Sequence, residues 1–205
     1  MNRIVTVSRE FGSGGRELAE KLAEKLGFKY YNKSIITDIA KQTDYSEDYV
    51  KNKMEKSVTA YPAHFGRASF YSPIIEKGAI GVMVAQRDVI KKIASDGDCV
   101  IVGRGADVIL AEFEPFNVFV YADESSRIAR CRSVYEEEFK GLSDKEVLKK
   151  LNRVDKERAA CRAMFTDSKW GDRNAYNLML NTSGMSIDTL AEMTAKCVTE
   201  YYDEK

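Results

Sequence analysis

The chain has 205 residues, 44% hydrophobic and 31% charged, an ordinary globular composition that suits one domain or a domain with a small insertion. Lys and Arg number 32, as do Asp and Glu, so the formal net charge is zero, which argues against a general binder of DNA or RNA. No run approaches the roughly 18 apolar residues of a membrane span, and the single histidine, His64, leaves serine-hydrolase and zinc-hydrolase chemistry poorly supplied.

The β-branched run Ile4 to Ser8 predicts a buried strand, and the glycine cluster Gly12-Ser13-Gly14-Gly15 follows it. Arg16 to Leu26 carries Leu18, Ala19, Leu22, Ala23 and Leu26 on one face, the pattern of an amphipathic helix closed by Gly27. Tyr30 and Tyr31 lead into a helix from Ser34 to Gln42, and a further helix is expected over Ser46 to Lys56. Residues 57 to 73, with Tyr61, Phe65, Phe70 and Tyr71 among Pro62, Gly66 and Pro73, form an irregular aromatic-rich insert. A long helix is expected from Ile74 to Ser95, then a second strand over Cys99 to Val102, stopping at Gly103-Arg104-Gly105. Asn117 to Tyr121 is a third strand, and the charge-rich segments Ser125 to Glu138 and Ser143 to Met164 are helical. Tyr176 to Leu180 is the last strand and Ser186 to Tyr202 the closing helix.

Short apolar strands alternating with amphipathic helices predict an α/β layered fold around a parallel sheet. Ligands in such folds sit beyond the carboxyl ends of the strands. The segments after the strands therefore carry the argument: 8–15, 103–105, 122–124 and 181–183. The four cysteines, Cys99, Cys131, Cys161 and Cys197, show no CxxC spacing and are expected to be reduced thiols in a cytoplasmic protein. Met1-Asn2-Arg3 before a short apolar run is not the pattern of a signal peptide.

A glycine-rich turn between strand and helix lets successive N–H groups face one anion, and the helix N-terminus adds partial positive charge. The P-loop pattern G-x-x-x-x-G-K-[ST] is not matched here. With Gly15-Arg16 on the Gly-Lys pair, Glu10 stands for the first glycine and Glu17 for the Ser/Thr. With Gly14 on that glycine instead, the lysine position becomes Gly15. The first placement is preferred, since Arg16 then supplies the cation and Glu17 can reach a magnesium ion directly or through water. The plain alternative is a turn that only connects strand to helix.

The stretch from Ile4 to Glu17 (IVTVSREFGSGGRE) closely resembles the opening of the cytidylate-kinase-like family. The resemblance recurs at Tyr30-Tyr31-Asn32-Lys33, Val102-Gly103-Arg104-Gly105, Ala122 to Arg127, Asp155 to Arg158, and from Trp170-Gly171-Asp172 to Asn181-Thr182-Ser183. It implies a P-loop fold of the nucleoside-monophosphate-kinase type, a three-layer sandwich with a central parallel sheet and a helical lid. One kinase domain would then span residues 1–205: a core of 1–33, 74–124 and 163–205, an acceptor-binding insert of about 34–73 and a lid of about 125–162. It implies phosphoryl transfer from ATP with Mg2+ to CMP or dCMP. The backbone of Gly12, Ser13, Gly14, Gly15 and Arg16 would cradle the ATP phosphates, with Glu17 toward the metal.

By the same resemblance Arg104 holds the acceptor's phosphate, a task that suits a bidentate guanidinium. Arg127 and Arg130 lie three apart and Arg158 and Arg162 four apart, so each pair shares a helix face, and the four are expected to close over the transferring group with Arg16. Asp155, Asn32 and Lys33 are further acceptor-side candidates, as is Arg67 in the insert; His64 reads as structural. Relatives commonly have aspartate where Asn32 stands, which leaves room for a small metabolite or a nucleoside as acceptor. The missing P-loop lysine also leaves room for a regulatory nucleotide-binding module without turnover. Trp170 and Tyr176 read as packing residues that could also stack on adenine. The partners implied are nucleotides, with neither nucleic acid nor membrane, and the insert and long helix could serve a homo-oligomer.

Overall fold

A computed structural model describes residues 2–43, 45–56 and 77–205. The sequence Ile4-Val5-Thr6-Val7 forms the middle strand of a five-stranded sheet because β-branched side chains pack well on both of its faces. This strand, β1 (Ile4–Arg9), leads into α1 (Gly15–Leu26), β2 (Lys29–Tyr31), α2 (Ser34–Gln42) and α3 (Glu47–Lys56). After α4 (Lys77–Ser95) come β3 (Cys99–Val102), α5 (Ala106–Ile109) and β4 (Phe116–Tyr121). The helices α6 (Glu124–Val134), α7 (Glu136–Phe139) and α8 (Asp144–Ala163) follow, then β5 (Leu178–Asn181) and α9 (Ile187–Asp203). Strand order is β2-β3-β1-β4-β5 and every pairing is parallel.

Alternation along each strand divides the core in two. Ile4, Cys99 and Ile101 pack with Ile35, Ile39, Val50, Ile90 and Leu110 under α2 to α5. Val5, Val7, Val100, Val102, Val118 and Val120 pack on the opposite face with Leu18, Leu22, Leu190 and Val198 of α1 and α9. The result is helix, sheet, helix, three layers with the β1 carboxyl end at the centre of one rim. A third, small cluster of Cys131, Phe139, Val147 and Leu151 joins α6, α7 and α8, with Phe11 of the glycine loop packed against it.

Differences from the sequence expectations have local causes. The pair Tyr30-Tyr31 is an edge strand, stabilised by pairing with Val100 and Ile101 rather than by its own length. The helix expected over 125–138 breaks at Tyr135, which leaves helical dihedrals (φ −125°, ψ 46°) and turns the chain into α7. Trp170 and Tyr176 both pack on Phe119, with ring centroids 5.0 Å away. The insert of 57–73, with His64 and Arg67, and the start of the long helix at Ile74 lie outside the described residues.

Candidate active site

Five residues, Glu10 to Gly14, connect β1 to α1. Gly12 (φ 80°) and Gly14 (φ 79°) are left-handed, and a Cβ at Gly14 would stand 2.8 Å from Arg130 Nη1 and from Ile187 Cδ1. Gly14 caps α1, and Leu18 N–H is the first in the helix to bond back, to the Gly14 carbonyl at 2.9 Å. The N–H groups of Gly15, Arg16 and Glu17 are thus left as the open donors of a helix start. Ser13 is fully buried: its hydroxyl donates to the Glu10 carbonyl at 2.9 Å, and its own carbonyl accepts the Thr182 hydroxyl at 2.7 Å. The loop is therefore held from within and from β5, with its donors facing a cleft of about 160 Å3.

Arginines from four elements surround this cleft or its rim. Arg9 ends β1, Arg16 stands in the first turn of α1, Arg130 lies on α6 and Arg158 on α8, and all four line it. Arg130 Nη1 donates to the Gly12 carbonyl at 3.3 Å and to Thr182 Oγ1 at 3.4 Å. Arg158 Nη1 donates to the Arg9 carbonyl at 2.9 Å, and its guanidinium lies over the Phe11 ring at 5.3 Å. Burial pushes the Arg158 guanidinium down to about 10, with Asp155 opposing and Arg16 adding to the effect. Burial also lowers Arg9, and the charges of Arg158, Arg104 and Arg16 act in the same direction.

Arg104 follows β3 in the left-handed region (φ 62°), between Gly103 (φ 72°) and Gly105 (φ 65°). Its carbonyl accepts from Nε2 of buried Gln86 at 2.8 Å, which fixes an otherwise unfavourable backbone. Asn32 Nδ2 donates to the Tyr30 hydroxyl at 3.2 Å. Burial and the Glu20 carboxylate raise the Tyr30 phenol, while Asn32, Arg16 and Arg9 oppose them, so the β2 end is electrostatically joined to the cluster. Lys33 is exposed at the start of α2, and Glu17 is exposed in the first turn of α1.

Three of the expected residues are engaged inside the protein rather than open to the cleft. Arg127, 6% exposed, pairs with Asp155 and, at 3.4 Å, with Glu10, and its Nε donates to the Phe11 carbonyl at 2.8 Å. Asp155 also accepts the Phe11 N–H at 2.7 Å. Burial pushes the Asp155 carboxyl up and Arg127 opposes that push. Arg162 is bound to Asp107 at 2.7 Å and to the Ser168 carbonyl. These contacts bolt α6 and α8 to the glycine loop and α8 to α5. Arg9 is the residue that sequence reasoning missed. The available signal was the second placement of the P-loop pattern, in which the first glycine falls on Arg9.

Among the described residues, no group of three His, Cys, Asp or Glu side chains could hold a metal ion, and no helix is long and apolar enough to cross a membrane.

Strand order, the glycine turn after the central strand and the convergent arginines define the P-loop kinase fold. The chain belongs to the cytidylate kinase-like family, which it matches over residues 4–184. An uncharacterized protein from Eubacterium ventriosum is 25% identical, with a TM-score of 0.68 over 96% of this chain and 98% of that one. A shikimate kinase from Bacteroides thetaiotaomicron is 13% identical, with a TM-score of 0.57 over 99% of both chains. A gluconokinase from Sinorhizobium meliloti is 10% identical, with a TM-score of 0.55 over 99% of this chain and 95% of that one. No curated protein matches the chain in sequence.

Proposed function

We propose that the protein transfers the γ-phosphoryl group of Mg-ATP to a nucleoside monophosphate, with CMP or dCMP as the preferred acceptor. The observation that carries the reading is the gathering of Arg9, Arg16, Arg130 and Arg158 around the glycine loop, with Arg104 one strand away. The backbone from Gly12 to Arg16 receives the ATP phosphates. Arg16, Arg130 and Arg158 stabilise the charge that spreads over the transferring group. Arg104, with Asn32 and Lys33, receives the acceptor. Arg127, Asp155 and Arg162 act at one remove, holding residues 125–162 as a lid over the loop.

A phosphate acceptor is already anionic at neutral pH, so positioning and charge stabilisation do most of the work and no general base is required. Asp107, the carboxylate closest in sequence to Arg104, is engaged by Arg162 and so is not available as one. Mg2+ keeps most of its waters and takes one or two carboxylates beside substrate phosphates, and exposed Glu17 at the loop suits that mode. Bound there, the ion would neutralise charge on the phosphates. Four unpaired cysteines agree with a cytoplasmic protein.

A second reading, transfer to a small hydroxylated metabolite, is favoured by Asn32, a neutral amide at the end of β2 that offers neither an anion nor a base to a nucleotide acceptor. Coupled ADP release with Mg-ATP against CMP, dCMP, UMP, AMP, GMP, shikimate and gluconate separates the two. Preference for CMP or dCMP supports the main reading. Turnover on a hydroxylated acceptor alone replaces it with the second. ATP binding without ADP formation for any acceptor overturns both.

A further inference from the structure

We propose that Arg9 does the work of the missing P-loop lysine, its guanidinium reaching the nucleotide's terminal phosphates from the end of β1 instead of from the first turn of α1. The inference rests on the reading of the glycine loop as an ATP phosphate site.

Neither placement of G-x-x-x-x-G-K matches the sequence in full, and the helix start favours the one not preferred from the sequence, with Gly15 and not Arg16 at the lysine position. In the pattern the last glycine ends the loop and the lysine opens the helix. Here Gly14 is the left-handed cap and Gly15 the first helical residue. The lysine position is therefore Gly15, and the first glycine position is Arg9. Cation and glycine have exchanged places.

The geometry explains why the exchange had to be mutual. Gly15 has ordinary helical backbone, so nothing in its dihedrals calls for glycine. A Cβ built there would stand 2.5 Å from Arg9 Cβ and 3.1 Å from Arg9 Cγ. The stem of Arg9 thus occupies the space into which a side chain at position 15 would emerge. The head of the side chain is fixed by a second glycine: a Cβ at Gly103 would lie 2.0 Å from Arg9 Nη1. Arg9 therefore stretches from the helix start to the end of β3, between the glycine loop and Arg104.

What surrounds the guanidinium points to an anion. Arg158, Arg104 and Arg16 are its charged neighbours. Among the described residues no carboxylate pairs with it and no acceptor takes a hydrogen bond from it. A half-buried cation among like charges is costly in the empty protein and is relieved by a bound polyanion. It lines the same cleft as the glycine loop.

The test uses the full chain, with Mg-ATP, inorganic triphosphate and AMP as ligands in calorimetry, and a thermal melt without ligand. Arg9→Met is expected to weaken Mg-ATP and triphosphate by about 10- to 100-fold, the worth of a lost charge-assisted contact, with AMP little changed. The same variant is expected to melt at or above the wild-type temperature, because a like charge has been removed. A merely structural arginine would lower it. Gly15→Lys alone is expected to destabilise the protein through its collision with Arg9. The double variant R9G/G15K, which puts cation and glycine in the common order, is expected to regain most of the affinity that Arg9→Gly loses. Wild-type affinity in Arg9→Met, or a double variant no better than Arg9→Gly, overturns the inference while leaving the proposed function standing. A wild-type protein that binds neither Mg-ATP nor triphosphate overturns both.

Discussion

Arg162 donates from Nε to Asp107 Oδ2 at 2.7 Å, and the two side chains are only 6% and 3% exposed. The pair joins α8 to the short helix that follows Arg104. Removing one partner leaves a buried charge without compensation, so Arg162→Met is expected to cost about 3–5 kcal/mol in urea unfolding. The double variant R162M/D107L is expected to recover most of that loss. A single variant as stable as wild type would contradict the structural role given to this pair.

Arg16 is half-exposed and has no hydrogen bond or ion pair with the described residues. Its removal should therefore be felt by the reaction and not by the fold. Arg16→Ala is expected to lower turnover by more than about tenfold, as for loss of a charge-stabilising donor. Its circular-dichroism melt should match wild type. Undiminished ADP release would remove Arg16 from the mechanism.

At Arg104 the backbone is held left-handed (φ 62°), a conformation glycine adopts without cost. Arg104→Gly is expected to raise the acceptor KM by about tenfold or more through loss of a bidentate contact, with the KM for ATP unchanged. Steady-state kinetics with each substrate varied in turn reads the split.

The Asp123 carboxylate caps α6, accepting from the Ser126 N–H at 2.6 Å and the Ser125 hydroxyl at 2.8 Å. Those bonds hold it well below the usual carboxylate range. A carboxyl whose folded value is depressed adds stability above its unfolded value near 3.8, and that stability is lost as pH falls further. Melting temperature should thus drop below about pH 4 more steeply in wild type than in Asp123→Asn, which keeps a cap without the charge. Equal slopes would show that the cap carries no pH dependence.

The layered fold is written in local patterns: Ile4 to Val7, Cys99 to Val102 and Asn117 to Tyr121 are apolar runs that only a doubly covered sheet can bury. Lys29–Tyr31 is not written that way, since three residues have no period of their own and owe their extension to β3. The glycine loop was legible for the same reason that it is needed, as φ near 80° selects glycine at 12 and 14. Which arginines face the cleft was not legible. Arg127 and Arg130 share a helix face by spacing, yet Asp155 and Glu10 engage the first while the second reaches the loop. Helical period gives direction but not the partner waiting there. Arg9 lay hidden because at the end of a strand the burial pattern gives way to whatever the neighbouring loops leave open.

The Thr182 hydroxyl that holds the Ser13 carbonyl is 169 residues away along the chain. Tyr202, near the other terminus, likewise bonds the Ile4 carbonyl at 2.8 Å and the Ile4 N–H at 3.1 Å. During synthesis the glycine sequence emerges before β5 and α9, which carry or adjoin the partners that shape it. A nascent chain therefore carries the loop's residues well before it carries the strand whose far end fixes their shape.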